Sequence, residues 1–257
     1  MVELKNSFSD IAHIYHRFND NEAYQTWVAF TLRQCQEFPT KALDVACGNG
    51  ILTNQLSRFT ESMIGIDYDP KMIEQAKKLH PFGNWQVMNM LDLSPLDTDF
   101  DLVTCYLDSL CFLESEKEIR QAIHQMYQRL KSGGILLFDV WTQERLLDFD
   151  GFIYADSYED MSLIWQSEAQ DDGDKTVVIH HLIGFEREGA SELYHKLDVT
   201  LTESSYPLKM YLEMLQQAGF DKSKIGVYPD FSEEIFDEYS PTSPETIERW
   251  CIKAIKS

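Results

Sequence analysis

The chain has 257 residues, 44% hydrophobic and 12% aromatic, which suits one sizeable globular core carrying an insertion. Its 22 Lys and Arg against 43 Asp and Glu give a formal net charge of -21. That balance argues against nucleic acid and anionic membrane surfaces as partners and leaves a small molecule or another protein as the default. No apolar run nears the ~20 residues of a spanning helix, and the start, MVELKNSFSD, lacks the pattern of a secretory leader. Five cysteines without a CxxC pair or ligand spacing predict reduced thiols, no metal and a cytoplasmic location.

In chain order, residues 6–36 read as helical, with Ile11, Ile14, Tyr15 and Phe18 and then Tyr24, Trp27, Val28 and Leu32 at helical spacing. Strand KALDVA (41–46) runs into the turn CGNG and a helix over 51–58. Strand MIGIDY (63–68) is followed by a helix opening at DP, where Pro70 suits the first helical position. NWQVMNM (84–90) gives a third strand and FDLVTCY (100–106) a fourth. A long amphipathic helix (115–130) ends at KSGG, before a fifth strand, ILLFDV (135–140). Five such alternations imply right-handed crossovers and a doubly wound α/β sheet. Residues 152–202 change rhythm to long alternating strands with tight turns, an antiparallel β insertion. The helix PLKMYLEMLQQAGF and the strands IGVYP and ERWCIKAIK then close the chain. The expected organisation is a helical cap (1–36), a core (37–150 and 203–257) and a β insertion (151–202) acting as a lid.

Ligands of open α/β sheets bind beyond the carboxyl ends of the strands, where strand order reverses. The first strand ends there in LDVACGNG (43–50), whose Gly48 and Gly50 permit close backbone approach. A dinucleotide fingerprint wants a third Gly, but Thr53 stands in that place. Asp44 in the turn would repel a pyrophosphate and suits a cationic ligand. Asp67, ending the second strand 19 residues after Gly48, can accept both hydroxyls of a ribose; its plainer reading is a helix cap with Asp69.

Together, LDVACGNG, GIDYDPKMIEQAKK, FDLVTCYLDSL and LKSGGILLFDV resemble the motifs of the class I S-adenosylmethionine-dependent methyltransferases, over about residues 40–140. The resemblance implies a Rossmann-like sheet of seven strands, the last antiparallel, and S-adenosyl-L-methionine as cofactor. It implies that Asp44 lies near the methionyl amino group and that Ala46, Cys47, Gly48, Asn49 and Gly50 line the methionyl and ribose portion. Asp67 takes the ribose hydroxyls, Tyr68 flanks the adenine, and Asn89 and Met90 meet its edge, with Asp92 as a competing alignment for the acid usual there. Met72 and Tyr106 complete that set. FSDIAHIYHRFNDNEAYQTW resembles the start of a small bacterial branch of the family, which implies that Tyr15 and Trp27 line the cofactor; His16 stands where that branch has Asp. The branch usually has Asn where Cys111 follows Asp108, Ser109 and Leu110.

Methyl transfer from a sulfonium needs alignment and exclusion of water more than a nucleophilic side chain. Asp108 is the first candidate for orienting the acceptor or the sulfonium, with His13, His16 and His195 behind it. Asp108, Ser109, Trp141 and His195 are expected to line the acceptor pocket. A lone His or a Trp on an apolar face is as readily a core residue. Two other readings stand beside the enzyme: a non-catalytic cofactor- or partner-binding module, and a nicotinamide-dependent oxidoreductase, against which Thr53 counts.

Overall fold

The computed structural model describes residues 11–12, 24–35, 37–189, 191–237 and 246–257. The expected helix around Tyr15, together with His13 and His16, lies outside the described residues. Helix α1 (Tyr24–Gln34) leads into β1 (Lys41–Val45), α2 (Ile51–Leu56), β2 (Ser62–Asp67), α3 (Pro70–Leu79), β3 (Asn84–Val87) and β4 (Phe100–Cys105). Helix α4 (Glu116–Arg129), β5 (Leu130–Trp141) and a short α5 (Gln143–Leu147) follow. Then come β6 (Ile153–Ser157), β7 (Met161–Asp171), β8 (Thr176–Arg187), β9 (Tyr194–Ser205), α6 (Leu208–Ala218), β10 (Ile225–Pro229) and β11 (Arg249–Ile255).

Seven strands form one sheet in the order β10-β11-β5-β4-β1-β2-β3, and β6 to β9 form a second, antiparallel sheet. β1 pairs in parallel with both β2 and β4, so strand order reverses beside it. β11 runs antiparallel to β10 and to β5.

Local chemistry explains the helix starts. Asp69 caps α3 by accepting the Lys71 N–H at 2.8 Å, with Pro70 at the first position, and Met72, Ile73 and Ala76 form the buried stripe. Ser115 caps α4 by accepting the Glu118 N–H at 3.3 Å, while Glu118 reaches back to the Glu114 N–H at 2.8 Å. Ile119, Ala122, Ile123 and Met126 bury the stripe that follows. Two details differ from expectation. KSGG ends α4 but belongs to β5, which begins at Leu130 and absorbs the extra residues as a register shift against β4. Helix α5 was not anticipated; it is started by Thr142, whose hydroxyl accepts the Arg145 N–H at 3.1 Å.

The insertion sheet spans residues 153–205, and its inner face buries Met161, Leu163, Leu182, Val199 and Leu201 with Ile11. All five cysteines are free, four of them buried. No helix among the described residues is long and apolar enough to cross a membrane.

Candidate functional site

The carboxyl edge of the large sheet carries the molecule's strained backbone. Ala46 after β1, Leu107 and Asp108 after β4, and Asp230 and Phe231 after β10 all hold left-handed φ between 47° and 63°. Non-glycine residues there are held against their preference by their surroundings, and such positions gather at functional sites.

The first loop is tied to β2 from below. Cys47 donates its N–H to the Ile66 carbonyl at 2.8 Å, and Gly48 donates to Asp67 Oδ2 at 2.9 Å. Asp67 Oδ1 accepts the Asp69 N–H at 2.9 Å. Asp67 also lines the cavity. Burial pushes this carboxyl up to about 6, against the pull of the backbone N–H groups of Asp69, Gly48 and Tyr68. Gly48, at φ 53°, has nothing within 4 Å of the place a Cβ would take, so the backbone there stands open to a ligand.

The cavity has a volume of about 570 Å³, within the usual range for a small-molecule site. One end is walled by Ala46, Cys47, Gly48 and Asn49 with Asp67 and Tyr68, and beside them lie Met72, Met88, Asn89, Met90 and Leu91. Asn49 is 3% exposed, and its Nδ2 donor has no partner. A buried donor left open on a cavity wall calls for an acceptor on a ligand. Asn89 Oδ1 accepts the Leu91 N–H at 2.9 Å and holds the turn after β3. The other end is walled by Leu107, Ser109, Phe112 and Leu113 after β4, and by Val177, Thr202 and Ser204 of the insertion. Core and insertion thus both line one continuous space.

Behind this wall lies a charged cluster centred on Asp139 of β5, which is fully buried. It accepts the Leu107 N–H at 2.9 Å, the Asp108 N–H at 3.2 Å and the Trp27 indole N–H at 3.1 Å. These contacts pin the strained turn after β4. Arg249 at the head of β11 pairs with Asp139 and, at 2.9 Å, with Asp108 Oδ1. Its guanidinium also stacks on Trp141, 3.6 Å from the ring centre. Burial raises Asp108 to about 7 even with Arg249 beside it, because one cation serves two carboxylates.

Several candidates from sequence occupy other places. Asp44 is 3% exposed behind the loop and does not line the cavity. Its oxygens accept hydroxyls from Thr53 at 2.5 Å and Thr104 at 2.7 Å, and burial lifts it to about 6. Gly50, at φ 78°, makes room for the Trp85 ring, not for a ligand: a Cβ there would sit 2.6 Å from the indole. Tyr106 turns away from the cavity into the contact with α1, where its hydroxyl meets Thr31 Oγ1 at 2.8 Å. Trp27 is spent on Asp139, and Trp141 on Arg249. His195 is 66% exposed on β9, paired with Glu188, and does not line this cavity. Tyr15 lies outside the described residues. The sequence reading missed Tyr24, which lines the cavity, and it missed Asp139 and Arg249. A lone carboxylate inside the apolar run ILLFDV was the available signal for Asp139.

A family profile described as a methyltransferase domain matches residues 42–134. The chain is 28% identical over 222 residues to "Putative methyltransferase YqeM" of Bacillus subtilis (strain 168), covering 85% of this chain and 88% of that one. Its fold matches an S-adenosylmethionine-dependent methyltransferase from Clostridium acetobutylicum ATCC 824 with a TM-score of 0.77, at 20% identity and covering 97% and 99% of the two chains. It also matches the sugar N-methyltransferase KedS8 from Streptoalloteichus sp ATCC 53650 with a TM-score of 0.72, at 20% identity over 100% and 95%. With the strand order, the Gly48–Asp67 contact and the cavity, these likenesses support a class I S-adenosylmethionine-dependent methyltransferase for this chain, whose residues 42–134 match a methyltransferase domain.

Proposed function

We propose that the enzyme methylates a small-molecule acceptor held between the turn after β4 and the β insertion. The observation that carries this reading is the continuity of the cavity, from Asp67 at one end to Thr202 and Ser204 of the insertion at the other. A concave space of this volume lined by two units of the fold suits a metabolite, and the charge of -21 argues against a nucleic-acid chain. KedS8, whose fold this chain shares, is a sugar N-methyltransferase.

When bound, the cofactor supplies an activated methyl group. The chain's own residues bind and orient. In this proposal Asp67 accepts the two ribose hydroxyls, and Asn49 Nδ2 donates to the methionyl carboxylate. Met72, Met88 and Met90 flank the adenine with Tyr68. Asn89 accepts the adenine amino hydrogen on the lone pair its turn leaves open. Asp44 acts from behind the loop, holding Thr53 and β4 in register.

Calorimetric titration tests the reading. S-adenosylmethionine is expected to bind and NAD to give no heat; the reverse result would favour the oxidoreductase. The pH profile identifies the carboxylate. Asp67 accepts two hydroxyl hydrogens only when ionised, and in the free protein it holds its proton up to about 6. Ligand and proton therefore compete: affinity is expected to be flat above about pH 7 and to fall below about pH 6, approaching tenfold per unit. Asp67→Asn should bind weakly and lack this step.

The adenine assignment has its own test. Asn89→Asp keeps an acceptor for the Leu91 N–H and adds charge toward the adenine amino group, so S-adenosylmethionine is expected to bind as tightly or up to about tenfold more tightly. A large loss measured by the same titration would show that residue 89 does not meet that edge.

A further inference from the structure

Tyr24 opens α1 and lines the cavity. It is 2% exposed, and its hydroxyl has no hydrogen-bond partner among the described residues. Burial pushes the phenol up to about 12 with no hydrogen bond pulling it back, so it remains a donor at any working pH. A buried hydroxyl without a partner is costly, and a ligand in the cavity can supply the missing acceptor.

The helix that carries Tyr24 is tied to the core along its length. Gln25 Nε2 donates to Gln55 Oε1 of α2 at 3.0 Å, and the Trp27 indole donates to Asp139. Thr31 Oγ1 meets the Tyr106 hydroxyl at 2.8 Å, and Lys253 Nζ donates to the Gln34 carbonyl at 2.8 Å. Tyr24 itself belongs to the apolar cluster of Leu52 and Leu56 of α2, with Trp27 and Leu107 packed against it. The hydroxyl is therefore in place before a ligand arrives, and little ordering cost remains.

Strand order says which part of a ligand comes near. From β3 to β2 to β1, the wall of the cavity presents Asn89 to Leu91, then Asp67, then Cys47 to Asn49. In the cofactor reading the base lies at Asn89 and the sugar at Asp67, so the tail runs toward β1 and the start of α2. That is the flank on which α1 packs. Asn49, just before the Gly50 that starts α2, brings a second unpaired donor to the same flank. Two donors side by side suit a group with two acceptor oxygens. Resting on the methyltransferase reading, we propose that the Tyr24 hydroxyl binds the methionyl carboxylate of S-adenosylmethionine, which makes α1 part of the cofactor site.

The test needs no methyl acceptor. S-adenosylhomocysteine keeps the amino-acid tail, and 5′-methylthioadenosine has the same nucleoside without it. Calorimetry on the full chain is expected to show S-adenosylhomocysteine binding the wild-type protein about tenfold or more tighter than 5′-methylthioadenosine. Tyr24→Phe is expected to weaken S-adenosylhomocysteine about tenfold and to change 5′-methylthioadenosine by less than about twofold. Its melting temperature should not fall, because the lost hydroxyl has no protein partner. Unchanged S-adenosylhomocysteine affinity in this variant overturns the proposal. An equal loss for both nucleosides does so too, since Tyr24 would then be a prop for the wall and not a contact to the tail. Equal affinities of the two nucleosides for the wild-type protein overturn it without any variant. Failure of both to bind would overturn the cofactor reading, and this proposal with it.

Discussion

Asp67→Ala is expected to weaken S-adenosylmethionine binding by about a hundredfold to ten-thousandfold, with little change in melting temperature. The affinity loss follows from two hydroxyl–carboxylate hydrogen bonds at about 1.5–3 kcal/mol each. The stability side has a separate cause. Burial holds this carboxyl up to about 6, so its ionised form already works against the fold at neutral pH. In sign terms, the folded state binds the proton more tightly than the unfolded chain. Stability therefore falls as pH rises from the ordinary carboxylate range through about 6, and the full cost is present at pH 7. Removing the group takes that cost away together with the hydrogen bonds from Gly48 and Asp69, and a shift within about 4 °C is expected. Unchanged affinity at unchanged melting temperature would refute the ribose assignment. A collapse in melting temperature would instead make Asp67 chiefly an anchor of the first loop.

The parts of the molecule that were legible in sequence are those whose signals are local. β1, β2 and β4 are short apolar runs, and α3 announces itself by Asp69 and Pro70 ahead of a 3.6-residue stripe. Gly48 and Asp67 lie 19 residues apart yet meet at 2.9 Å, because a βαβ crossover sets the ends of adjacent parallel strands side by side. Gly50 shows the limit of that logic. The same glycine signal can mean room for a ligand or room for a neighbour, and here Trp85 from β3 fills the space. Asp139 and Arg249 were illegible for another reason: they lie 110 residues apart and join only because β11 inserts antiparallel beside β5. Trp27 looked like a stripe residue or a cofactor wall. Its role depends on Asp139, 112 positions away. Tyr24 was hidden in the same way, since spacing along a helix shows which residues share a face but not what covers it.

Arg249→Met is expected to destabilise the protein by about 3–5 kcal/mol, which for a chain of this size lowers the melting temperature by roughly 10 °C. Methionine fills the same slot against Trp141, but it leaves Asp139 fully buried and Asp108 nearly so, with no cation between them. Breaking a buried pair by removing one partner strands the other charge, and this is the costly direction. The deficit should depend on pH. Without Arg249 the Asp108 carboxyl, already raised by burial, holds its proton still more tightly in the fold than in the unfolded chain, so stability rises as pH falls and the gap to the wild-type protein narrows. Asp108→Asn in the same variant should recover part of the loss, because it removes one stranded charge and leaves Asp139 the N–H groups of Leu107, Asp108 and Trp27. Arg249→Lys should fall between, since one ammonium cannot reach both carboxylates with the spread of a guanidinium. S-adenosylmethionine affinity in Arg249→Met should move less than in Asp67→Ala, because Arg249 lies behind the cavity wall and not on it. A variant as stable as wild type at pH 8 would mean that Asp108 and Asp139 do not depend on Arg249. The left-handed turn at Leu107 and Asp108 would then owe its shape to the β4–β5 pairing alone.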